Sequence, residues 1–167
     1  MNSTLIKNIR IGQETERKGI KFYSAALRKV EDINSKNLLK FLIKEEERHL
    51  VGFNLMLEKI KKDLGFDSKK ALNKRPKIPL FSKTAYKKIS KPKTEIYEIF
   101  TVALGMEREG IKLYTRLQRN IKNEEATTFL KDVVAQEKDH IRLINQHRES
   151  LHNYFYWEGV QQPRIES

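Results

Sequence analysis

Two short stretches of the chain each carry a Glu followed three residues later by a His. The first is Glu46 with His49, in EEERHL, and the second is Glu137 with His140, in QEKDHI. Residues three apart lie on the same face of a helix, so each pair presents a carboxylate and an imidazole together. Iron, manganese and zinc accept both ligand types. One such pair alone is weak support for a metal site, since the pattern is common on solvated helices.

The two pairs belong to an internal repeat with a constant offset of 91 residues. ERKGIKFY at residues 16–23 matches EREGIKLY at residues 107–114, and the same offset superimposes the first Glu–His pair on the second. Self-similarity of this kind indicates that one helical unit occurs twice. Glu16 and Glu107 begin the two octapeptides, so each half of the chain supplies two glutamates and one histidine.

Apolar residues recur at alternating steps of three and four in four segments, which predicts four amphipathic helices. We place the helices at about residues 3–32, 35–63, 95–121 and 124–155. Asn34 or Ser35 is the expected N-cap of the second helix, Thr94 of the third and Asn123 of the fourth. Gly65 is the expected stop signal of the second helix.

Short links after the first and third helices predict two antiparallel hairpins, and residues 64–93 connect them. Pro76, Pro79 and Pro92 exclude a long helix in this connector. Two hairpins joined by one long crossover are the connectivity of ferritin-like bundles. We therefore predict an all-α protein, a single ferritin-like four-helix domain over residues 1–167.

Six ionisable residues fall on the predicted inward faces of the helices. They are Glu16, Glu46, His49, Glu107, Glu137 and His140. Each uncompensated buried carboxylate would cost several kcal/mol, whereas two divalent cations would balance all four. A Glu from two helices and Glu-x-x-His from the other two is the pattern of di-iron and di-manganese bundles. We predict two iron ions, with manganese possible and zinc as an adventitious occupant; the alternative is a metal-free bundle.

Residues next to these positions are also repeated at equivalent places. Tyr23 and Tyr114 lie seven residues after the first Glu of each half, and either pack in the core or hydrogen-bond a ligand carboxylate. Gly19 and Gly110 lie one turn after the same Glu residues, and a Gly inside a helix lowers its stability, which indicates that these positions need to be free of a side chain. The free space serves either close helix packing or an oxygen species.

Three polar residues beside the Glu–His pairs are candidates for orienting the imidazoles. They are Glu45, Gln136 and Asp139, for which a surface position is the alternative. His147 also lies on the inward face, where we expect a core histidine with its polar atoms paired.

The formal net charge is +12, and the connector is especially basic. It contains Lys69, Lys70, Lys74, Arg75, Lys77, Lys83, Lys87, Lys88, Lys91 and Lys93. We interpret these residues as a solvated surface, with docking to an acidic protein or nucleic acid as the alternative. Because the chain shows no nucleic-acid motif, we do not expect nucleic acid as a partner.

The six residues resemble those of the rubrerythrin and bacterioferritin branch of the ferritin-like superfamily, over about residues 4–157. The resemblance implies that the six residues ligate the metals and that Glu46 and Glu137 bridge them. It implies reduction of hydrogen peroxide or dioxygen at a di-ferrous centre, or ferroxidase activity without peroxidase turnover. It also implies a homodimer.

Three departures from the resembling families refine this expectation. The chain has no Cys for a rubredoxin centre, so electrons are expected from an external donor such as a rubredoxin. Gly110 stands where rubrerythrins usually carry a further Glu, so ligand switching is not expected. Glu47 stands where bacterioferritins place a haem-binding Met, so no haem is expected. The basic charge argues against an iron-storage cage.

Three functional hypotheses follow from the sequence. The first is a cytoplasmic di-iron oxidoreductase of the rubrerythrin-like type lacking a rubredoxin domain. The second is an iron-binding ferroxidase, and the third is a metal-free structural or partner-docking bundle. No signal peptide or membrane span is expected, because no apolar run is long enough.

Overall fold

The structure of the protein is a computed structural model that describes residues 2–62, 64–72, 75–79 and 93–157, the side chains of residues 2, 68, 69, 93, 94 and 154–157 excepted. Its helices are α1 (Asn2–Leu27), α2 (Ile33–Lys61), the one-turn α3 (Ser68–Ala71), α4 (Lys93–Asn120) and α5 (Glu124–Trp157). These ranges contain no β-strand. Within them, no helix carries an apolar stretch of the length needed to cross a bilayer.

The four long helices form two hairpins that pack into a bundle. α1 packs extensively on α2, and α4 on α5, while α2 contacts α5 and α1 contacts α4 more sparsely. Gln13 hydrogen-bonds Asn54, and Gly19, later in α1, approaches Glu46, earlier in α2, so α1 and α2 run antiparallel. The all-α four-helix prediction is therefore confirmed. The path of the crossover falls largely on residues 73–74 and 80–92, outside the described ranges, so the ferritin-like connectivity stays a prediction.

The first hairpin turn differs from the prediction at both of its helix ends. α1 ends at Leu27 rather than near residue 32, because the N–H groups of Lys29 and Val30 both turn back to the carbonyl of Ala26. The N-cap of α2 is Asp32, whose Oδ1 accepts a hydrogen bond from the backbone N–H of Ser35 at 2.7 Å. The expected cap, Asn34 or Ser35, was wrong, because both residues already lie inside the first turn.

The remaining helix ends give one confirmation and two corrections. Asn123 caps α5, since its Oδ1 accepts a hydrogen bond from the N–H of Ala126 at 2.7 Å. α2 ends at Lys61 with Lys62 as its C-cap, so Gly65 is not the stop signal. α4 begins at Lys93, which places Thr94 inside the helix rather than at its N-cap.

Apolar residues form two clusters, one towards each end of the bundle. One contains Leu42, Phe100 and Ile144, and the other contains Phe53 and Phe129. Burying each such side chain stabilises the fold by about 1.5–3 kcal/mol. The ionisable residues lie between the clusters along the helices, so two apolar layers hold the polar layer in place.

Two glycines fix the position of neighbouring helices along each other's axes. A Cβ on Gly12 would lie 2.4 Å from a ring carbon of Phe53, and one on Gly52 would lie 2.4 Å from a ring carbon of Phe129. The rings therefore rest directly on helix backbone, which only glycine permits here. These contacts fix α1 against α2 and α2 against α5 within two turns of the polar layer.

Candidate metal centre

The six residues predicted to bind metal converge between the four helices, and all six are buried. They form two groups, in each of which one ligand atom per residue lies within 4.8 Å of the other three: Glu16, Glu46, His49 and Glu137, and then Glu46, Glu107, Glu137 and His140. Glu46 and Glu137 belong to both groups. Two four-residue groups that share two carboxylates have the composition of a dinuclear site with bridging carboxylates.

The imidazoles turn the same ring nitrogen towards the carboxylates. Nδ1 of His49 lies 3.4 Å from Glu46 and 3.3 Å from Glu137. Nδ1 of His140 lies 2.9 Å from Glu137 and 3.5 Å from Glu107. Among the described residues, neither Nδ1 atom has a hydrogen-bond partner, and neither does Oε2 of Glu137.

Unpaired buried polar atoms test whether a metal fits this site. Leaving such an atom without a partner costs about 1–3 kcal/mol. The two Nδ1 atoms and the four facing carboxylates are nitrogen and oxygen donors of the kind that iron and manganese prefer. Two divalent cations would satisfy these atoms and balance the four negative charges, so the residues present fit a pair of metal ions.

The four carboxyl groups divide into two electrostatic classes. Burial raises the pKa of Glu16, and the charge of Glu46 raises it further. Burial and the charge of Glu137 raise the pKa of Glu107 in the same way. Burial also opposes charge on the two shared residues, but the neighbouring carboxyl and imidazole groups outweigh it and lower the pKa of Glu46 and Glu137. The shared carboxylates thus stay ionised most readily.

Protons compete with a cation for this cluster. Burial opposes charge on His49, but the nearby carboxylates of Glu137 and Glu16 outweigh burial and raise its pKa. The charges of Glu107 and Glu137 raise the pKa of His140, also against the effect of burial. Since metal ligation requires a neutral imidazole and an ionised carboxylate, binding of a cation displaces these protons.

The other ring nitrogens face residues of the opposite hairpin. Nε2 of His49, on α2, lies 3.1 Å from Oε1 of Gln136 on α5. Nε2 of His140, on α5, lies 3.6 Å from Oε2 of Glu45 on α2. The prediction that Gln136 contacts an imidazole is confirmed, and Glu45 occupies the corresponding place in the other half.

Two arginines that the sequence reasoning missed hold these orienting residues. Arg48 donates from Nε to Glu45 at 3.0 Å, and also donates to Gln136. Arg75, in the connector, lies 2.6 Å from Glu45 and 2.7 Å from Asp139. Burial opposes the charge of Glu45, but His140 and the two guanidinium groups outweigh it and lower its pKa to about 2.

The roles predicted for Asp139 and Arg75 need correction. The contacts found for Asp139 are with Arg75 and with Arg142, not with an imidazole. The interpretation of the basic connector as a solvated surface is wrong for Arg75, which is half-buried in this network. Lysine and arginine carry the same charge, so charge alone did not single out Arg75. The signal that could have found it is its residue type, because the planar guanidinium group of arginine pairs well with buried carboxylates.

Both tyrosines hydrogen-bond carboxylates of the predicted metal ligands. Tyr23 donates to Oε1 of Glu107, and Tyr114 donates to Oε1 of Glu16. Burial raises the pKa of both tyrosines, and the charge of the accepting glutamate raises it further. The hydroxyls therefore keep their protons and act as donors.

Gly19 and Gly110 line a cavity of about 30 Å³ between α1 and α4. The carboxyl-bearing residues of the site and Met106 line the same cavity. A Cβ on Gly19 would lie 3.3 Å from Cγ of Glu46, whereas one on Gly110 would meet only Tyr114, at 3.8 Å. Gly19 thus makes room for a shared carboxylate and Gly110 leaves open space, which is enough for a water-sized molecule.

His147 is confirmed as a buried core residue. Its Nε2 lies 2.8 Å from Oγ of Ser35, and its ring packs edge-on against Phe100. Burial lowers its pKa to about 4. It lies outside both ligand groups.

Comparison of the chain with protein-family models gave no match, and comparisons with curated proteins and with solved structures gave none either. The repetition within the chain and the geometry of the six residues therefore carry the assignment of the site. Both converge on the same six side chains.

Proposed function

We propose that the protein is a di-iron carboxylate oxidoreductase of the rubrerythrin-like type, which reduces hydrogen peroxide or dioxygen. The observation that carries the proposal is the membership of Glu46 and Glu137 in both four-residue groups. Two ligand groups that share two carboxylates hold two cations close together. Two adjacent iron ions can deliver two electrons, which is the number that peroxide needs.

The proposed ligand sets follow the two groups. Glu16 and His49 would complete one metal position, and Glu107 and His140 the other, with Glu46 and Glu137 common to both. When two ferrous ions are bound, they supply one electron each and polarise the oxygen–oxygen bond of the oxidant. One peroxide, two electrons and two protons then give two molecules of water. Dioxygen with the same two electrons and two protons gives hydrogen peroxide, which a second turnover reduces to water.

The chain itself orients the ligands and shapes the space beside them. Tyr23 and Tyr114 hold the two unshared carboxylates by hydrogen bonds, while both hydroxyls stay protonated. The cavity between α1 and α4 is large enough for a small oxygen species and too small for an organic substrate. This size favours peroxide or dioxygen as the oxidant.

The chain contains no cysteine that could hold an iron–sulfur or rubredoxin-type centre. We therefore propose that electrons reach the site from a donor outside this chain, such as a rubredoxin. Each turnover needs two electrons to return the metals to the ferrous state.

Metal content tests the site before any activity is measured. Protein purified without chelators or added iron should contain about two metal ions per chain, by elemental analysis. Replacing Glu46 and Glu137 together by Gln should abolish this content. Glu58→Gln is the matched control, because Glu58 lies on the same helix as Glu46 but is exposed and pairs only with Lys62 among its described ion pairs. Equal metal content in all three proteins would overturn the proposal.

Rapid mixing of the anaerobic di-ferrous protein then separates the functional alternatives. The proposal predicts faster oxidation by peroxide than by dioxygen, followed by renewed oxidation after each addition of reductant. Accumulation of many iron ions per chain would instead support iron binding and storage. Absence of stoichiometric metal would leave the metal-free bundle.

A further inference from the structure

The two halves of the metal centre differ at several equivalent positions, among them Arg48 and Asp139 and the cavity-lining Thr15 and Met106, and one differing pair lies against the two imidazoles. All six ligands match at the offset of 91, as do Tyr23 and Tyr114, but Glu45 corresponds to Gln136. Each of these two residues faces the imidazole of the opposite hairpin. The ring of His140 therefore meets a carboxylate, and the ring of His49 meets an amide.

The amide of Gln136 is a shared acceptor. Its Oε1 lies 3.1 Å from Nε2 of His49 and also accepts a hydrogen bond from Nη2 of Arg48. A guanidinium can only donate, so the oxygen that His49 uses is shared with Arg48. Because an amide carries no net charge, His49 has a neutral acceptor for its N–H.

Glu45 presents a full carboxylate to His140. Arg48 donates to its Oε1 and Arg75 to its Oε2, and this Oε2 lies 3.6 Å from Nε2 of His140. The side chain is completely buried and forms ion pairs with both guanidinium groups. At 3.6 Å its contact with His140 is longer than a hydrogen bond, and Nε2 of His140 has no hydrogen-bond partner among the described residues. The carboxylate still places negative charge beside the ring, which stabilises the positive charge that the imidazole gains when its other nitrogen binds a cation.

We propose that the two metal positions are unequal: the position served by His140 binds a divalent cation more tightly than the one served by His49. The inference rests on the metal centre proposed above and assigns the difference to Glu45 against Gln136. The hydrogen bonds of the tyrosines are symmetric between the halves, so they do not create it. Arg75 contributes by anchoring Glu45 from the connector.

Titration of the metal-free full chain with Mn²⁺ at one pH tests this proposal, with free Mn²⁺ measured by electron paramagnetic resonance. Wild-type protein should bind one ion about 10–100 times more tightly than the second. Repulsion between two bound cations also makes the second ion bind more weakly than the first. The test is therefore the change in the ratio of the two affinities between the wild type and the variants. Glu45→Gln should lower the ratio about tenfold by weakening the first step.

Two further variants assign the steps and guard against misfolding. Gln136→Glu should lower the ratio by strengthening the second step, and it places a carboxylate beside Arg48, which can pair with it. His140→Ala should remove the tighter step and His49→Ala the weaker one. Circular dichroism and the unfolding temperature show which metal-free variants fold.

The outcomes separate the two proposals. If two Mn²⁺ ions bind but the ratio stays unchanged in both folded Glu45→Gln and folded Gln136→Glu, the inequality proposal is wrong and the metal centre stands. Should Glu45→Gln not fold, the ratio in Gln136→Glu decides alone. Failure of wild-type protein to bind any Mn²⁺, Fe²⁺ or Co²⁺ would overturn both proposals.

Discussion

The hydroxyl of Tyr23 donates a hydrogen bond to Glu107, on the other hairpin, rather than to Glu16 on its own helix. Tyr114, on the second hairpin, likewise donates a hydrogen bond to Glu16 on the first. The two helices α1 and α4 touch only sparsely elsewhere, so this exchange ties them together at the level of the site. Each unshared carboxylate is thereby fixed in orientation by the hairpin that does not carry it.

Replacing either tyrosine by Phe should weaken the metal-loaded fold. A hydrogen bond to an ionised group contributes about 1.5–3 kcal/mol, so we expect a loss of that size in the free energy of unfolding for Tyr23→Phe and for Tyr114→Phe. Urea denaturation of the metal-loaded proteins measures it. Tyr97→Phe is the control, because the hydroxyl of Tyr97 makes only a long contact of 3.5 Å to the carbonyl of Arg148. An equal loss in the control would contradict the special role of the crossed pair.

The shared and unshared glutamates should differ in how many metal ions depend on them. Glu46→Gln removes a ligand from both groups, whereas Glu16→Gln removes one from a single group. We therefore expect Glu46→Gln to lose more than tenfold in affinity at both positions and Glu16→Gln at one, leaving about one ion per chain. Elemental analysis after dialysis checks this. Loss of a single ion in both variants would show that Glu46 does not bridge.

Periodicity within one helix predicted which ionisable residues are buried between the helices. The steps of three and four that place apolar residues inward also place Glu46 and His49 inward, and the repeat marks the same positions in the second half. Which residues share one face of a helix depends only on their spacing along the chain, so a single sequence is enough to identify them. The prediction of six converging residues needed no knowledge of how the hairpins pack.

Contacts between hairpins lay beyond this reasoning. The tyrosines were placed beside the glutamates of their own helices, and their crossed pairing depends on the approach of α1 to α4. Arg75 is 30 residues from Glu45 in the chain, and nothing in the local pattern distinguishes it from the lysines around it. The N-cap at Asp32 was missed for a different reason: Asp32, Asn34 and Ser35 are all residue types that cap helices, and the backbone conformation decides which of them does.

Gly19 and Gly110 should respond differently to the same change. Gly19→Ala brings a methyl group 3.3 Å from Cγ of Glu46 and displaces a shared carboxylate, so metal affinity should fall several-fold. Gly110→Ala meets only an ordinary contact, and the higher helix propensity of Ala should stabilise the fold by up to about 1 kcal/mol. Metal titration and thermal unfolding of the two variants measure these effects. Equal metal affinities would show that Glu46 can move without loss of the site.

His147 should make the stability of the protein depend on pH independently of the metal ligands. Burial lowers its pKa to about 4, against about 6.5 in the unfolded chain. Above pH 6.5 neither state is protonated at His147, so it makes no difference there. As the pH falls from 6.5 to 4, the unfolded chain takes up a proton that the folded protein refuses, and stability falls by about 3 kcal/mol.

The variant His147→Gln isolates this contribution, because an amide can keep a hydrogen bond with Ser35 but does not titrate. Urea denaturation of both metal-free proteins between pH 4 and pH 8 should give curves that diverge below pH 6.5, with the wild type losing about 3 kcal/mol more by pH 4. Protonation of the carboxylate cluster affects both proteins equally and cancels in the difference. Parallel curves over the whole range would mean that the folded protein accommodates a charged His147, and that Asp32, whose charge favours this state, compensates its burial.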